Sequence, residues 1–495
     1  MSLAGIDIGT TGCKCTIYSI DGRLISESYT EYEIQNGEEH ELDPYMVWEK
    51  TKIVLKEAST NVERIIAIGI TSFGEAAILL NEEGEPLLNS LLYANPKGEE
   101  QCQHLIRKLG KEYIIKTTGL NPSHMYSISK LMWLNKFEAE KFSQCANIHL
   151  FEDYIVYKLC GVRQIDYSLA SRTMAYDINT LKWDDQILDF AGINKSHLPK
   201  TVPIGSIAGQ INSVIANELG INEDALIVSG CHDQIAAAIG TGTYKKNCAV
   251  DSTGTVECIT PVFDRSIDLR KLSENSYAVV PFIYDKYVTY AFSLTGGALL
   301  KWYRDQLMDV EADMIEKGGK IAYNVFNDSV DDTKPSGLLV LPHFSGAATP
   351  YMDKDSKGAI IGLTTNTTKA ELYQGLMEGV TFDMKVNVER LEDAGIYIDK
   401  LRATGGGAVS SIWLQMKADI LNRPIISLGA AQSGTLGCIM LAGLACNVYD
   451  SIEEAENIFV KEENIYYPQK NKHHLYMNYY TKYKKMYKSV KTVID

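Results

Sequence analysis

The sequence lacks the features that would point to a membrane, an oxidising compartment or nucleic acid. Its ten cysteines form no CxxC pair, and such a scatter is typical of a reducing compartment. The longest apolar run, residues 436–446, is too short to span a bilayer, and the first residues form no basic and apolar leader. The net charge of −15 disfavours nucleic acid and anionic membranes as partners. We therefore expect a cytoplasmic protein.

Two well-known nucleotide motifs are also missing. Neither the GxxxxGK[ST] spacing of a P-loop nor the GxGxxG spacing of a dinucleotide fold occurs at the glycine-rich turns discussed below. What remains is an ordinary globular composition, with 45% hydrophobic and 22% charged residues. A chain of 495 residues exceeds what one hydrophobic core usually supports, so two domains are expected.

Residues 5–12 form the most informative stretch, a short apolar strand that breaks into a turn of glycines and threonines and leads into a second strand. Gly9 frees the backbone to direct N–H groups at an anion, and Thr10 and Thr11 add hydroxyl donors. Asp7 would repel a phosphate unless a cation lay between them, so we interpret it as a magnesium-side acid. The alternative is an ordinary glycine-rich hairpin.

Two acids follow buried strands. Asp233 lies between an apolar run at 225–230 and a small-residue helix, where it could act as a general base or simply cap the helix. Gln234, beside it, could hydrogen-bond hydroxyl groups. Glu75 follows the strand predicted at 65–70, where it is either a ligand-facing acid or a solvated turn residue.

The pattern of the opening stretch returns in the second half. Residues 249–258 again place an acid on a strand, followed by the turn Thr253, Gly254 and Thr255 and a further strand. A duplicated turn of this kind arises by chance far less readily than a single one, which indicates two similarly built domains facing one nucleotide. Residues 241–246 are the predicted hinge between them.

Two further glycine-rich turns precede predicted helices. Gly297 lies where backbone could approach a ligand at a helix start. The run Gly405, Gly406, Gly407 and Ala408 leads into a helix over 411–421, and three glycines leave a flat surface for an adenine or ribose.

With these motifs in order, the chain resembles the FGGY carbohydrate kinases, within the superfamily of hexokinase, actin and the chaperone ATPases. The resemblance covers nearly the whole length, and residues 125–134 and 405–424 are similar to two family signatures. It implies an α/β fold of two actin-like, ribonuclease H-like domains with a nucleotide cleft between them, at 1–244 and 245–495. It also implies phosphoryl transfer from ATP to a hydroxyl of a sugar or polyol, with Mg²⁺, and a homodimer is plausible for the family.

The resemblance implies the following roles. Asp233 is the catalytic base, and it serves Mg²⁺ together with Asp7. The ATP-binding residues are Gly9, Thr10, Thr11, Lys14, Thr253, Gly254, Thr255, Gly297, Gly405, Gly406, Gly407 and Ala408. The substrate-binding residues are Phe73, Glu75, Tyr93, Asp233 and Gln234.

The substrate is less clearly indicated. Xylulokinases carry a Met-His pair where this chain has Gly74 and Glu75, and glycerol kinases carry an Arg-Glu pair there. We expect a neutral ketose such as xylulose, because Glu75 would repel an acidic sugar. A glycerol- or erythritol-like polyol and a fuculose- or rhamnulose-like deoxyketose are the alternatives. An actin-like or chaperone-like ATPase and a non-catalytic sugar sensor are rivals of another class.

Overall fold

The computed structural model describes residues 1–33, 40–265, 267–429 and 432–494. The strands are β1 (Ser2–Ile8), β2 (Gly12–Ser19), β3 (Leu24–Glu31), β4 (Glu41–Leu42), β5 (Ile65–Ser72), β6 (Ile78–Leu80), β7 (Ser90–Leu91), β8 (Asn147–His149), β9 (Gln164–Asp166), β10 (Tyr176–Asp177), β11 (Lys182–Trp183), β12 (Lys200–Val202), β13 (Ser206–Gln210), β14 (Leu226–His232), β15 (Cys248–Thr253), β16 (Glu257–Asp264), β17 (Val280–Pro281), β18 (Lys286–Val288), β19 (Ala291–Ser293), β20 (Leu339–Leu341), β21 (Ala359–Ile361), β22 (Lys400–Thr404), β23 (Ile425–Leu428) and β24 (Glu462–Tyr466).

The helices are α1 (Pro44–Ser59), α2 (Glu99–Leu109), α3 (Lys111–Thr118), α4 (Ser127–Phe137), α5 (Ala139–Phe142), α6 (Phe151–Cys160), α7 (Tyr167–Ser171), α8 (Asp185–Ala191), α9 (Ser213–Leu219), α10 (Asp233–Gly240), α11 (Leu269–Glu274), α12 (Gly297–Leu307), α13 (Asp309–Lys317), α14 (Ala322–Asp328), α15 (Lys369–Asp393), α16 (Ser411–Leu421), α17 (Ser433–Ala445), α18 (Ile452–Phe459), α19 (Lys470–Tyr483) and α20 (Met486–Ile494). Short 3₁₀ turns lie at Lys195–His197 and Gly406–Val409.

The chain forms two compact units. The first contains Met1–Tyr244, Ala278–Val288 and Gln432–Val460, and the second contains Lys245–Tyr277, Thr289–Ala431 and Lys461–Asp495. The domain limits drawn from the sequence, 1–244 and 245–495, are contiguous and stay a prediction. The compact units instead place two later segments with the N-terminal part of the chain.

The first unit is built on a sheet with the order β13-β14-β5-β1-β2-β3. β1, β5 and β14 are parallel, whereas β2 is antiparallel to β1. The apolar run of β5 is buried along nearly its whole length, as is typical of a parallel strand covered on both faces. The register aligns Asp7 with Thr71, and Thr71 with Cys231, so the carboxyl ends of three strands meet at one edge.

Helix α17 covers one face of this sheet, although it comes from late in the chain. It packs against β1, β5 and α10. The approach is close because glycines lie beneath it: a Cβ on Gly69 would lie 2.5 Å from the carbonyl oxygen of Cys438, and one on Gly5 would overlap that of Thr435. Larger residues at these positions would push the helix away from the sheet.

The second unit repeats the strand, turn, strand order. β15 is antiparallel to β16 and parallel to β22, and β22 continues through β23 to β24. Helix α15 is the main core helix and begins with a capping box between Thr368 and Glu371. Its apolar face packs with α16 and with tyrosines of α19.

The helix predicted over residues 411–421 is confirmed, since α16 has these limits. Strand β7 ends at Leu91, and a loop leads from there to α2. Lys130 Nζ donates hydrogen bonds to the carbonyl oxygens of Asn95 and Lys97 in this loop. No helix within the described residues is both long and apolar enough to cross a membrane.

Candidate active site

Asp233 begins α10 directly after β14, at the edge where the parallel strands end. It is the first residue of the helix and does not cap it, and its Oδ1 accepts a hydrogen bond of 2.6 Å from the Gln234 N–H. Burial raises the pKa of Asp233 to about 7, with further contributions from Asp7 and Glu75, while Gln234 and Arg172 lower it. A carboxyl group that changes protonation near neutral pH suits a general base.

Glu75 lies just beyond β5 with a positive φ of 70°. Ser127 Oγ holds the turn by donating a hydrogen bond of 2.6 Å to the Glu75 carbonyl oxygen. Arg172, which follows α7, donates from Nε to Glu75 Oε1 at 2.5 Å, and its Nη2 contacts the same oxygen. Both contacts end on Oε1 of the carboxylate.

Arg172 was not predicted from the sequence. A Cβ on Gly74 would lie 2.9 Å from Arg172 Cγ and 3.2 Å from His232 Cδ2, so the arginine side chain occupies the space that a residue-74 side chain would need. The one signal for this contact in the sequence was Gly74, at the position where glycerol kinases carry an arginine. It did not identify Arg172 as the residue that contacts Glu75.

The other predicted substrate residues separate into two groups. Tyr93 is 45% exposed, and its pKa is raised by burial and by Glu75 and Asp233, which places its hydroxyl near both acids. Gln234 is half-buried on the first turn of α10. Phe73, in contrast, packs in the core with its ring 5.0 Å from that of Phe151, so the structure does not bring its side chain to the acids.

The first predicted phosphate turn lies at the same edge of the sheet. Gly9 N donates to the Gly12 carbonyl oxygen at 2.9 Å and closes the turn that carries Thr10 and Thr11. Asp7 and Lys14 are cross-strand partners, so their side chains share one face. Burial raises the pKa of Asp7 to about 6, and Lys14 lowers it.

Gly434, at the start of α17, also belongs to this site and was not singled out by its sequence. A Cβ at Gly434 would lie 2.7 Å from Asp7 Oδ2, so the helix start packs directly on the carboxylate. Lys14 Nζ lies 3.2 Å from Glu27. The half-buried Asp7 therefore lies between the turn, the neighbouring strand and α17.

The second unit contains a cavity of 760 Å³. Six of the eight predicted ATP-binding residues of this unit line it: Thr253, Gly254, Thr255, Gly297, Gly406 and Gly407. The turn after β15 and the start of α12 are joined directly, because Gly297 N donates to the Gly254 carbonyl oxygen at 2.7 Å. Gly405 and Ala408 are not lining residues but shape the same turn, in which Ala408 N donates to the Gly405 carbonyl oxygen at 3.1 Å.

The remaining cavity wall combines polar and aromatic side chains with the aliphatic residues Ala298, Leu300, Ile321 and Val409, and it was not predicted from the sequence. It includes Lys301, Asp305 and Gln306 of α12, Tyr323, Asn324 and Asn327 of α14, and Trp413 of α16. The i, i+4 spacing of Lys301 and Asp305 indicates one helix face, but a sequence does not reveal that this face meets that of α14. Amide and aromatic side chains next to a glycine floor suit a planar base and a ribose.

Gly405 and Gly406 offer a matched pair of substitutions in this floor. Gly405 has a φ of +84°, and a Cβ there would lie 2.6 Å from the Thr253 carbonyl oxygen, whereas a Cβ on Gly406 meets nothing within 4 Å. We expect Gly405→Ala to lower the free energy of unfolding by about 1–3 kcal/mol. Gly406→Ala should keep the stability and weaken ADP binding, because its methyl group enters the cavity. Urea denaturation and calorimetry test both, and equal stabilities would contradict the expectation.

The described sheets, with a strand, turn, strand unit in each half, define the two-domain actin-like fold, as predicted. Family models for the N-terminal and C-terminal domains of the FGGY family of carbohydrate kinases match residues 2–240 and 274–446. The chain belongs to the FGGY family of carbohydrate kinases. It is therefore a phosphotransferase that acts on a hydroxyl of a sugar or polyol, which confirms the predicted enzyme class.

Individual relatives differ in substrate. The chain is 29% identical to a glycerol kinase from Agathobacter rectalis over 473 residues, 91% of each chain. It is 26% identical to a xylulose kinase from Bacillus subtilis over 496 residues, 98% of this chain and 97% of the relative. The crystal structure of ligand-bound xylulose kinase from Lactobacillus acidophilus aligns with a TM-score of 0.89 at 26% identity, covering 99% of this chain and 98% of that one.

Proposed function

We propose that the protein transfers the γ-phosphoryl group of ATP to a hydroxyl of a neutral ketose such as xylulose. The observation that carries the proposal is the cluster of Asp233, Glu75 and Arg172 at the carboxyl ends of β5 and β14. It combines a base of suitable pKa with an anchored hydrogen-bond acceptor, which is what recognition and activation of a polyhydroxylated substrate need. A polyol or a deoxyketose is the alternative.

ATP is the phosphoryl donor that the family assignment supports. In the second unit, the proposed nucleotide site is the cavity between the 253–255 turn, α12, α14 and the 405–408 turn. Backbone N–H groups and the hydroxyls of Thr253 and Thr255 would contact phosphate oxygens there. In the first unit, the 9–11 turn and Lys14 are the proposed phosphate contacts.

Mg²⁺ would be held by Asp7 and Asp233. Within the described part of the chain, no group of three or more His, Cys, Asp or Glu side chains is arranged to hold a metal ion. Mg²⁺ in phosphoryl-transfer enzymes is commonly held by one or two carboxylates together with water and substrate phosphates, so two acids fit. The half-buried carboxyl of Asp7, whose raised pKa reflects an unfavourable isolated charge, supports this assignment. Bound Mg²⁺ would neutralise charge on the phosphates.

Each residue of the first-unit cluster then has a defined task. Asp233 accepts the proton of the attacking hydroxyl while that oxygen forms a bond to the γ-phosphorus and the bond to the bridging oxygen of ADP breaks. The Glu75 carboxylate accepts a hydrogen bond from a second hydroxyl of the sugar. Arg172 fixes the Glu75 carboxylate. The sugar therefore binds a rigid group that holds it in the orientation needed for the transition state.

The charge of the cluster supports a neutral substrate. Three acids, Asp7, Glu75 and Asp233, face this edge, and Arg172 compensates only the Glu75 charge directly. The pairing of Glu75 with Arg172 weakens the repulsion that was expected between Glu75 and an acidic sugar. The charges of Asp7 and Asp233 by themselves would disfavour a carboxylate such as gluconate, and Mg²⁺ held by these two acids would offset part of that repulsion.

A coupled ADP-release screen tests the proposal. The arms are ketopentoses, ketohexoses, deoxyketoses, tetrulose sugars, polyols and gluconate, each with ATP and Mg²⁺, and a sugar-free reaction is the control. We expect ADP release only with one neutral class, led by a ketose. Release without any sugar would favour an ATPase, no release with any arm would favour a sugar sensor, and preference for gluconate would overturn the neutral-substrate proposal.

A further inference from the structure

Beneath the 253–255 turn of the second unit lies a buried ionic cluster that the proposed reaction does not use, formed by Asp251, Glu257 and Lys417. The side chain of Lys417 is 1% exposed, and those of Asp251 and Glu257 are equally buried. Lys417 Nζ lies 2.7 Å from Asp251 Oδ2 and 3.1 Å from Glu257 Oε1. Three charged groups at one buried point are costly to assemble, so their arrangement calls for an explanation.

The cluster is joined to the cavity through Thr253. Lys417 Nζ donates a hydrogen bond of 2.6 Å to Thr253 Oγ1, and Thr253 lines the cavity. The ring of Trp413, one helical turn before Lys417, covers the ammonium group at 4.9 Å and also lines the cavity. The lysine therefore supports two parts of the cavity wall without lining it.

Because Lys417 can only donate, the Thr253 hydroxyl accepts one hydrogen bond and is free to donate another. An ammonium group can only donate, so it occupies a lone pair of Oγ1 and leaves the hydroxyl hydrogen to be donated elsewhere. The protein acceptor available to it is Asp251 Oδ1, at a long 3.4 Å. A phosphate oxygen in the cavity would be a better acceptor.

The charges of the cluster influence one another. Burial lowers the pKa of Lys417, but Asp251 and Glu257 raise it above its ordinary value. Burial raises the pKa of Glu257 to about 8, Lys417 lowers it and Asp251 raises it. The ammonium form of Lys417 is thus favoured, and the greater proton affinity of the buried Glu257 reduces the negative charge beneath the turn.

We propose that Lys417 is a positioning residue for the nucleotide: by binding Oγ1 of Thr253, it presents that hydroxyl as a preformed donor to a phosphate. The inference rests on the proposed nucleotide role of the cavity. It assigns to α16 a function in phosphate binding in addition to its place in the hydrophobic core.

The test compares variants that retain charge balance. Lys417→Met alone would leave Asp251 unpaired and could fail to fold, so the main variant is Asp251→Asn/Lys417→Met. We expect it to fold and to bind ADP roughly tenfold to hundredfold more weakly by calorimetry, the range for losing a hydrogen bond to a charged partner. The KM for the sugar should change by less than about twofold. Lys385→Met is the control, because Lys385 is a largely buried lysine over the Tyr480 ring, away from the cavity lining.

A second comparison asks whether Lys417 acts through Thr253. Thr253→Val should weaken ADP binding in the otherwise natural protein. In the Asp251→Asn/Lys417→Met background, the same substitution should weaken ADP binding by a further factor of less than about two. Independent, additive losses would overturn the inference, as would a folded double variant that binds ADP normally. If the natural protein itself bound no ADP, the proposed nucleotide site would be wrong. If the natural protein bound ADP but the losses were additive, only the role of Lys417 would be wrong, so the two outcomes are distinguishable.

Discussion

Asp233→Asn should reduce kcat by at least about 10²-fold while ADP affinity stays nearly unchanged. The amide retains the shape of the side chain but cannot accept the proton of the attacking hydroxyl. The natural protein should lose activity as the pH falls below about 7, because burial raises the pKa of Asp233 to about 7 and only the ionised form is a base. Steady-state kinetics from pH 5.5 to 9 and ADP calorimetry measure both effects.

Stability provides the control for this variant. The folded-state pKa of Asp233 lies above its ordinary value of 3.8, so this residue favours folding most at low pH, and that contribution is lost as the pH rises from about 4 to about 7. At pH 8 Asp233→Asn should therefore be at least as stable as the natural protein. Near-normal turnover by a folded, pure variant would refute the assignment of Asp233 as the base.

Arg172→Met is expected to damage both folding and sugar recognition. It leaves the buried Glu75 carboxylate without its partner, and removing one member of a buried ion pair costs about 3–5 kcal/mol. The kcat/KM for the sugar should fall roughly tenfold to hundredfold, since Glu75 is no longer fixed. The optimum should also move to higher pH, because Arg172 lowers the pKa of Asp233.

Glu75→Gln should move the pH optimum in the direction opposite to that expected for Arg172→Met, and this contrast makes the comparison of the two variants specific. Glu75 raises the pKa of Asp233, so its neutral replacement should move the activity profile to lower pH while sugar affinity falls. Glu75→Gln/Arg172→Met should regain most of the lost stability, because no unpaired charge remains, but not the activity. Arg163→Met, which removes hydrogen bonds to the carbonyl oxygens of residues 196–198, is the control. Shifts of the pH optimum in the same direction for both single variants would contradict the proposed arrangement.

The fold class was predictable because its signals are local and occur twice. The strand, turn, strand pattern at Asp7 and again at Asp251 depends only on alternating apolar residues and glycine-threonine turns, and both appear in the structure as predicted. The helix over 411–421, predicted directly after the glycine run, likewise appears with its predicted limits. The acids at strand ends could be proposed as site residues for the same reason.

The parts of the sites that were missed depend on contacts between distant residues. Arg172 reaches Glu75 across 97 positions in the sequence, and Lys417 reaches Asp251 across 166. Neither residue has a local motif that names its partner. Phe73 lies two positions before Glu75, but its ring packs in the core against Phe151. Both residues follow the end of β5, and Glu75 has a positive φ, so the alternation of a strand does not tell which of the two side chains faces the site.

Helix α17 has a consequence for how this enzyme is made. The sheet of the first unit is nearly complete once Gly240 leaves the ribosome, yet the helix that covers β1 and β5 is not synthesised until residues 433–445. Throughout the intervening synthesis, an apolar face of the nascent sheet has no permanent cover and is open to chaperones or to aggregation. Fragments that stop at the hinge should consequently be insoluble when expressed alone, and co-expression of a peptide spanning 432–460 should restore their solubility.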